Sequence, residues 1–155
     1  MLPLLILILR PLPLVFSAEN PAPAPGLFFS PDEDIRRTNS YQKVQDEFHK
    51  KGANLERLKI EYLMDRVRHS PNKFIRNGTV HTSAGALQHL RRKYAHKFQQ
   101  TGSAQMFIHS VASYSTQTGE PYTMQTSDGK TCPVKDIFLN ELRRLEETLQ
   151  EPPSG

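Results

Sequence analysis

The chain has 155 residues, of which 37% are hydrophobic and 23% charged, with a formal net charge of +4. That length supports one ordinary domain and excludes a multidomain enzyme, a long coiled coil and a polytopic membrane protein. Residues 54–149 hold 14 Lys and Arg against 9 Asp and Glu, a net +5 that favours anionic partners but is too small to predict nucleic-acid binding.

The N-terminal 17 residues form an apolar run that Arg10 and three prolines interrupt. This run is too short and too broken for a stable membrane span, which needs about 20 continuous apolar residues. The small residues Ser17 and Ala18 are typical of the end of a secretory signal peptide, so we predict residues 1–17 to be one. A non-cleaved anchor is the alternative. Export places the protein in the periplasm or outside the cell.

The next two segments are expected to lie outside the core. Proline alternates with small residues in 20–26, which excludes a helix there, and we predict an extended Pro-rich linker over 18–30. Ser30 and Pro31, followed by two acidic residues, are typical of a helix start. We therefore predict a peripheral helical extension over residues 31–53, with Gly52 closing its helix.

Four amphipathic segments predict a helical domain over residues 54–149, followed by a disordered tail over 150–155. Apolar side chains recur three and four positions apart in each segment, and each must bury its apolar face against another. The Asp128-Gly129 dipeptide between two short runs predicts a β-hairpin. The expected fold is mainly α, a compact bundle of about four helices with one small β-hairpin. The first predicted helix begins at Leu55, the second is capped by Thr82 or Ser83, the third runs from Ser103, and the fourth follows Pro133-Val134.

The first candidate site is the segment 74–82. Asn77-Gly78 is a turn dipeptide, and His81 comes just before the second predicted helix. Free backbone N–H groups at a helix start favour an anion, so Arg76, Asn77 and His81 are candidates to bind a carboxylate or a phosphate. The alternative is an ordinary turn in which His81 caps the helix and Arg76 is a surface charge.

The second candidate site is the hydroxyl-rich segment 107–122. Ser113, Ser115 and Gly119 are predicted to line a ligand loop, although Ser and Thr side chains also close helices. A serine nucleophile requires a base and an oxyanion donor, and the chain has no Gly-x-Ser-x-Gly motif. No catalytic residue is therefore assigned.

The remaining histidines and the lone cysteine do not predict a metal site or a cofactor. His89 and His96 lie about 10 Å apart along one helix, too far to share an ion, and no Cys-x2-Cys pair occurs. Cys132 is the single cysteine and cannot form an internal disulfide. Arg91 belongs to a basic helix face that either meets phosphate groups or is solvated. Because no aromatic residues interleave there, we expect no nucleic-acid binding.

A longer pattern adds a resemblance to a known family. The stretches Phe74-Ile-Arg-Asn-Gly-x-x-His81 and Ala86-x-x-His89-Leu-Arg-x-Lys-Tyr94 resemble the YfeK-like family of small exported bacterial proteins. Residues 104–122 agree with the same pattern, and the resemblance covers about residues 60–145. It implies a signal peptide, a periplasmic or secreted location and a single helical domain of unknown function. The polar members of the pattern are Arg76, Asn77, His81, His89, Arg91, Ser113 and Ser115.

Together these features predict a non-enzymatic binding module with a small polar pocket for an anionic small molecule or a partner's carboxylate. One alternative is a small periplasmic hydrolase that uses His and Ser. Another is an envelope assembly protein that binds a partner through its 31–51 segment. The binding hypothesis requires the 76–81 and 113–122 segments to meet in space. The candidate ligand-binding residues are Arg76, Asn77, His81, His89, Arg91, Ser113, Ser115 and Gly119.

Overall fold

A computed structural model describes residues 27–152. The predicted signal peptide, most of the predicted linker and the last three residues of the predicted tail lie outside the described residues. The fold is mainly α, as the helical periodicity predicts. The described elements are α1 (Asn39–His49), α2 (Leu55–His69), β1 (Lys73–Arg76), β2 (Thr79–His81), α3 (Ser83–Lys97), α4 (Ala104–Phe107), β3 (Thr123–Gln125), β4 (Thr131–Pro133) and α5 (Val134–Gln150).

The β structure is larger than the single hairpin that the sequence predicts. Four antiparallel strands form one sheet in the order β2-β1-β3-β4. The predicted turn at Asp128-Gly129 does join β3 to β4, but Asn77-Gly78 closes a second hairpin between β1 and β2. Both of its residues have positive φ, 50° and 71°, as a two-residue primed turn requires. Strands of three or four residues are too short to show alternation, so the sequence marks only the turn.

Local capping signals correctly predict two of the described helix starts. The Thr82 side chain accepts a hydrogen bond from Gly85 N–H and caps α3, and the Ser103 side chain caps α4 in the same way. Helix α4 is only four residues long, because the chain widens into a π-helical turn over Ile108–Ala112. The helix start predicted at Ser30 is wrong: α1 begins at Asn39, where Thr38 provides the cap.

The segment before residue 54 contributes side chains to the hydrophobic core. Phe29 and Val44 are fully buried, and Tyr41 is nearly so. The Phe29 ring lies edge-on to Phe138 of α5 at 4.8 Å and is 6.0 Å from the ring of Phe74 on β1. Helix α1 packs along α2. The division of the chain into an extension and a domain stays a prediction.

A buried cluster of charged side chains ties this segment to α2 and α5. Arg66 is fully buried, and its Nη2 donates to Glu33 Oε2 at 2.7 Å. Glu141 is also fully buried; its Oε1 accepts from Phe29 N–H at 3.0 Å, and its Oε2 lies 3.9 Å from Arg66 Nε. Burial raises the pKa of the Glu141 carboxyl, against the opposing effect of Arg144 and Arg66.

The part of the chain that the structure describes contains no helix long and apolar enough to cross a membrane.

Candidate functional site

The two candidate segments meet in space. Arg76 Nη2 donates to Gln117 Oε1 at 3.3 Å, and Thr118 Oγ1 donates to Asn77 Oδ1 at 2.8 Å. Strand β1 also pairs with β3, which directly follows the second segment. The β1–β2 hairpin and the 113–122 loop therefore form a single surface, which is the condition that the binding hypothesis requires.

A cavity of about 70 Å³ opens behind this surface, between β1 and α3. Its polar lining includes Arg76, His81, His89 and Tyr122. None of the residues that line it is acidic. The cavity therefore combines cationic and titratable groups with a hydrocarbon wall. That wall is formed by Phe74, Ile75, Ala86, Leu90, Ala112 and Val134.

The sheet register and the helix period bring these residues together. Phe74 and His81 are direct partners across β1 and β2, and opposite residues of an antiparallel pair lie on the same face. On α3, Ala86, His89 and Leu90 share one face because they are three and four positions apart. Thr82 fixes the first turn of α3, next to the strand that carries His81.

His89 occupies a positively charged environment. Its Nε2 shares a hydrogen bond of 3.0 Å with the Tyr122 hydroxyl, and the two rings meet edge to face. Burial lowers the pKa of His89, and the positive charges of Arg76 and Lys93 lower it further. The imidazole is therefore neutral at pH 7, and an anion in the cavity would favour its protonated form.

Lys93 adds a buried positive charge beside the cavity. Only 8% of the residue is exposed, and its Nζ donates to the Tyr114 carbonyl at 2.5 Å. The same Nζ lies 5.2 Å from the centre of the Tyr122 ring, within range of a cation–π contact. Burial, with the charges of Lys97 and Arg76, lowers the pKa of Lys93 to about 8. Lys93 is the last residue of the basic run Arg91-Arg92-Lys93, and nothing in the sequence of that run indicates that Lys93 is buried.

The Arg76 guanidinium has unused hydrogen-bonding capacity. Its Nε is buried and has no hydrogen-bond partner in the described part of the chain. Its contact with Gln117 is long, and no described acidic side chain pairs with it. A buried donor without a partner costs free energy, so an acceptor placed beside it would be stabilised.

Comparison with known proteins places the chain in a family. Residues 54–146 match the family of unknown function DUF5329. The chain belongs to this family. It is also similar to the uncharacterized protein YfeK of Salmonella typhimurium, with 43% identity over 49 residues, which are 32% of this chain and 41% of that protein. The resemblance to a YfeK-like domain of unknown function is thereby confirmed. No solved structure matches.

All the residues that line the cavity lie inside the part of the chain that matches the family. The chain spans less than half of the YfeK relative. Both the family and this relative are uncharacterised.

The remaining sequence candidates lie outside this cavity. The Ser113 hydroxyl donates to the Ile108 carbonyl at 2.5 Å, and Ser115 Oγ accepts from Gln117 N–H at 3.3 Å. Gly119 adopts a positive φ of 74° in the turn of the same loop. These residues shape the loop that holds Arg76. Arg91 is exposed and lines a different cleft, which faces α1 and α2.

The hydroxyl and imidazole groups do not form a nucleophile–base pair. No hydrogen bond between the described residues joins Ser113 or Ser115 to His81 or His89, and the His89 Nε2 is bonded to Tyr122. Within residues 27–152 there is also no group of three or more His, Cys, Asp and Glu that could hold a metal ion.

The pH dependence of stability tests the charge around His89. The pKa of His89 is lower in the folded protein than its usual value of about 6.5. At pH values just below about 6.5 the unfolded chain therefore binds more protons than the folded protein does. The free energy of unfolding should therefore rise as the pH increases toward about 6.5, and His89→Gln should make that rise smaller. Urea denaturation at several pH values measures it. His96→Gln, on an exposed site of α3, is the control; equal slopes in wild type and His89→Gln would contradict the assignment.

Proposed function

We propose that the protein is a non-enzymatic, exported binding module whose cavity between β1 and α3 receives an anionic ligand. The main support is the polar lining of the cavity: the cationic Arg76 lines it together with His81 and His89, the cationic Lys93 lies beside it, and no acidic residue is among its lining. The charges of Arg76 and Lys93 disfavour each other and disfavour a protonated His89, and an anion placed beside them would relieve that repulsion.

The ligand is either a free small anion or a carboxylate presented by a partner. Both would use the same donors, since Arg76 pairs with no described acidic side chain and its contact with Gln117 is long. The proposal of a periplasmic or secreted location rests on the apolar run in residues 1–17 and the Pro-rich stretch that follows.

Two observations favour binding over the alternatives. The hydroxyls of Ser113 and Ser115 bond to the backbone of their own helical turn and loop, which favours a structural role over that of a nucleophile. In the 31–51 segment, Tyr41 and Val44 are buried in the core, and a partner helix would need such apolar side chains to be exposed.

A single change at the cavity mouth tests the proposal. Gln117→Glu places a carboxylate next to Arg76, where the amide oxygen now lies 3.3 Å from Nη2. An internal anion there should compete with the ligand and weaken anion binding by about tenfold, equivalent to about 1.4 kcal/mol. Sodium acetate and sodium phosphate serve as probes, with binding followed by calorimetry and by the NMR shift of the His89 ring protons.

Arg91→Gln is the matched control. It changes the net charge by the same amount as Gln117→Glu, but Arg91 lies on α3 outside the cavity. Its affinity for both probes should equal that of the wild type. If Gln117→Glu binds these anions as well as the wild type does, the proposed function is wrong.

A further inference from the structure

The shape and lining of the cavity narrow the ligand class, given that the proposed function holds. We propose that the cavity takes a monocarboxylate with a short branched hydrocarbon body, whose carboxylate contacts Arg76 and whose body packs on the apolar wall. Isovalerate is a branched monocarboxylate of this kind and serves as the probe.

The carboxylate follows from the donors at the polar end. A guanidinium presents its N–H groups in one plane, which matches the two oxygens of a carboxylate. Arg76 has a buried Nε without a partner, makes a long contact with Gln117 through Nη2 and shares a hydrogen bond with the Tyr122 side chain, so its donors converge on this end of the cavity. His81 lies beside the first turn of α3, close to Gly85, and adds a second polar group at this end.

The hydrocarbon body follows from the rest of the lining. Phe74, Leu90 and Val134 are buried core residues, and each also faces the cavity. A phosphate or sulfate has oxygens on every side, and those directed at this wall would lose their hydrogen bonds with water and gain none. A methyl group loses nothing there and gains contacts with the wall.

The size of the body follows from the volume. A single water needs about 10–15 Å³ measured in this way. The cavity of about 70 Å³ is several times larger than this, so it has room for a short hydrocarbon group. A short branched chain fills that space once its carboxylate lies at the mouth, whereas acetate leaves most of it empty.

A panel of four probes separates this inference from the proposed function. Isovalerate should bind at least about tenfold more tightly than acetate, because each buried carbon adds to the affinity. It should also bind at least about tenfold more tightly than phosphate, and than isovaleramide, which has the same shape without the charge. Calorimetry with the full chain gives all four affinities.

The outcomes are distinguishable. If acetate or phosphate binds as tightly as isovalerate, the hydrocarbon body is wrong while the anion-binding function stands. If isovaleramide binds as tightly as isovalerate, the cavity recognises hydrocarbon alone, and both proposals are wrong. If none of the probes binds, both are wrong as well.

Ala86→Leu provides a second test, because Ala86 lies on the wall and a larger side chain there fills the space for the body. The variant should bind isovalerate no more tightly than acetate, with its acetate affinity unchanged. Gln88→Leu adds the same side chain to an exposed position of α3 and should change neither affinity. If Ala86→Leu loses acetate as well while its thermal denaturation matches that of the wild type, the carboxylate does not lie at Arg76, and the inference fails.

Discussion

Replacing Arg66 with Met should lower the free energy of unfolding by about 3–5 kcal/mol, the largest effect that we expect from a single charged residue. Arg66 and Glu141 are both fully buried, and removing the cation leaves the carboxylate in the core. The nearest remaining cation is Arg144, whose Nε lies 3.9 Å from Glu141 Oε2. Urea denaturation at neutral pH measures the loss.

The double variant Arg66→Met/Glu141→Gln separates the effect of the buried carboxylate's charge from the effect of the lost packing. The introduced amide side chain keeps an oxygen to accept the Phe29 N–H bond, and it carries no charge, so the double variant should recover at least about half of the loss. Arg57→Met is the control, since Arg57 makes only an exposed pair with Glu61, worth about 0.5 kcal/mol. A double variant no more stable than Arg66→Met would refute this explanation.

The pH dependence of the free energy of unfolding gives a further check on Arg66→Met. The folded pKa of Glu141 is raised above its unfolded value, so the folded state binds this proton more tightly. The stability that protonation provides is present at low pH and is lost as the pH rises through the folded pKa. Without Arg66 that pKa should rise further. The deficit of Arg66→Met should therefore be smaller at about pH 4 than at about pH 7.

Replacing Phe29 with Ala should cost about 3–5 kcal/mol, although Phe29 lies outside the region that matches the family. The ring is fully buried between Phe74 and Phe138, so the substitution leaves a cavity in the centre of the core. Chemical denaturation of the full chain gives the free energy of unfolding of wild type and variant.

Phe28→Ala is the matched control for this change. The Phe28 ring is only partly buried. It lies 4.6 Å from the Arg144 guanidinium, a contact worth about 1 kcal/mol or less. A cost at Phe29 no larger than at Phe28 would mean that the segment before residue 54 does not contribute to the stability of the core.

Much of the candidate site could be predicted from the sequence because it follows from local chemistry. The Asn77-Gly78 turn and the Thr82 cap fix the positions of Arg76 and His81, and both signals depend on neighbouring residues alone. The sequence could not indicate that Lys93 turns inward while Arg91 stays exposed. That difference depends on where the 113–122 loop lies against α3.

By itself the sequence determines the mainly α class, most helix starts and both hairpin turns, since periodicity, caps and turn dipeptides act over a few residues. Only the tertiary structure decides that β1 pairs with β3 and joins two hairpins into one sheet. It likewise decides that Arg66 and Glu141 are buried together and that Arg76 meets Gln117 across 41 positions. Such contacts depend on packing between distant segments, and no short-range pattern encodes which polar side chains that packing encloses.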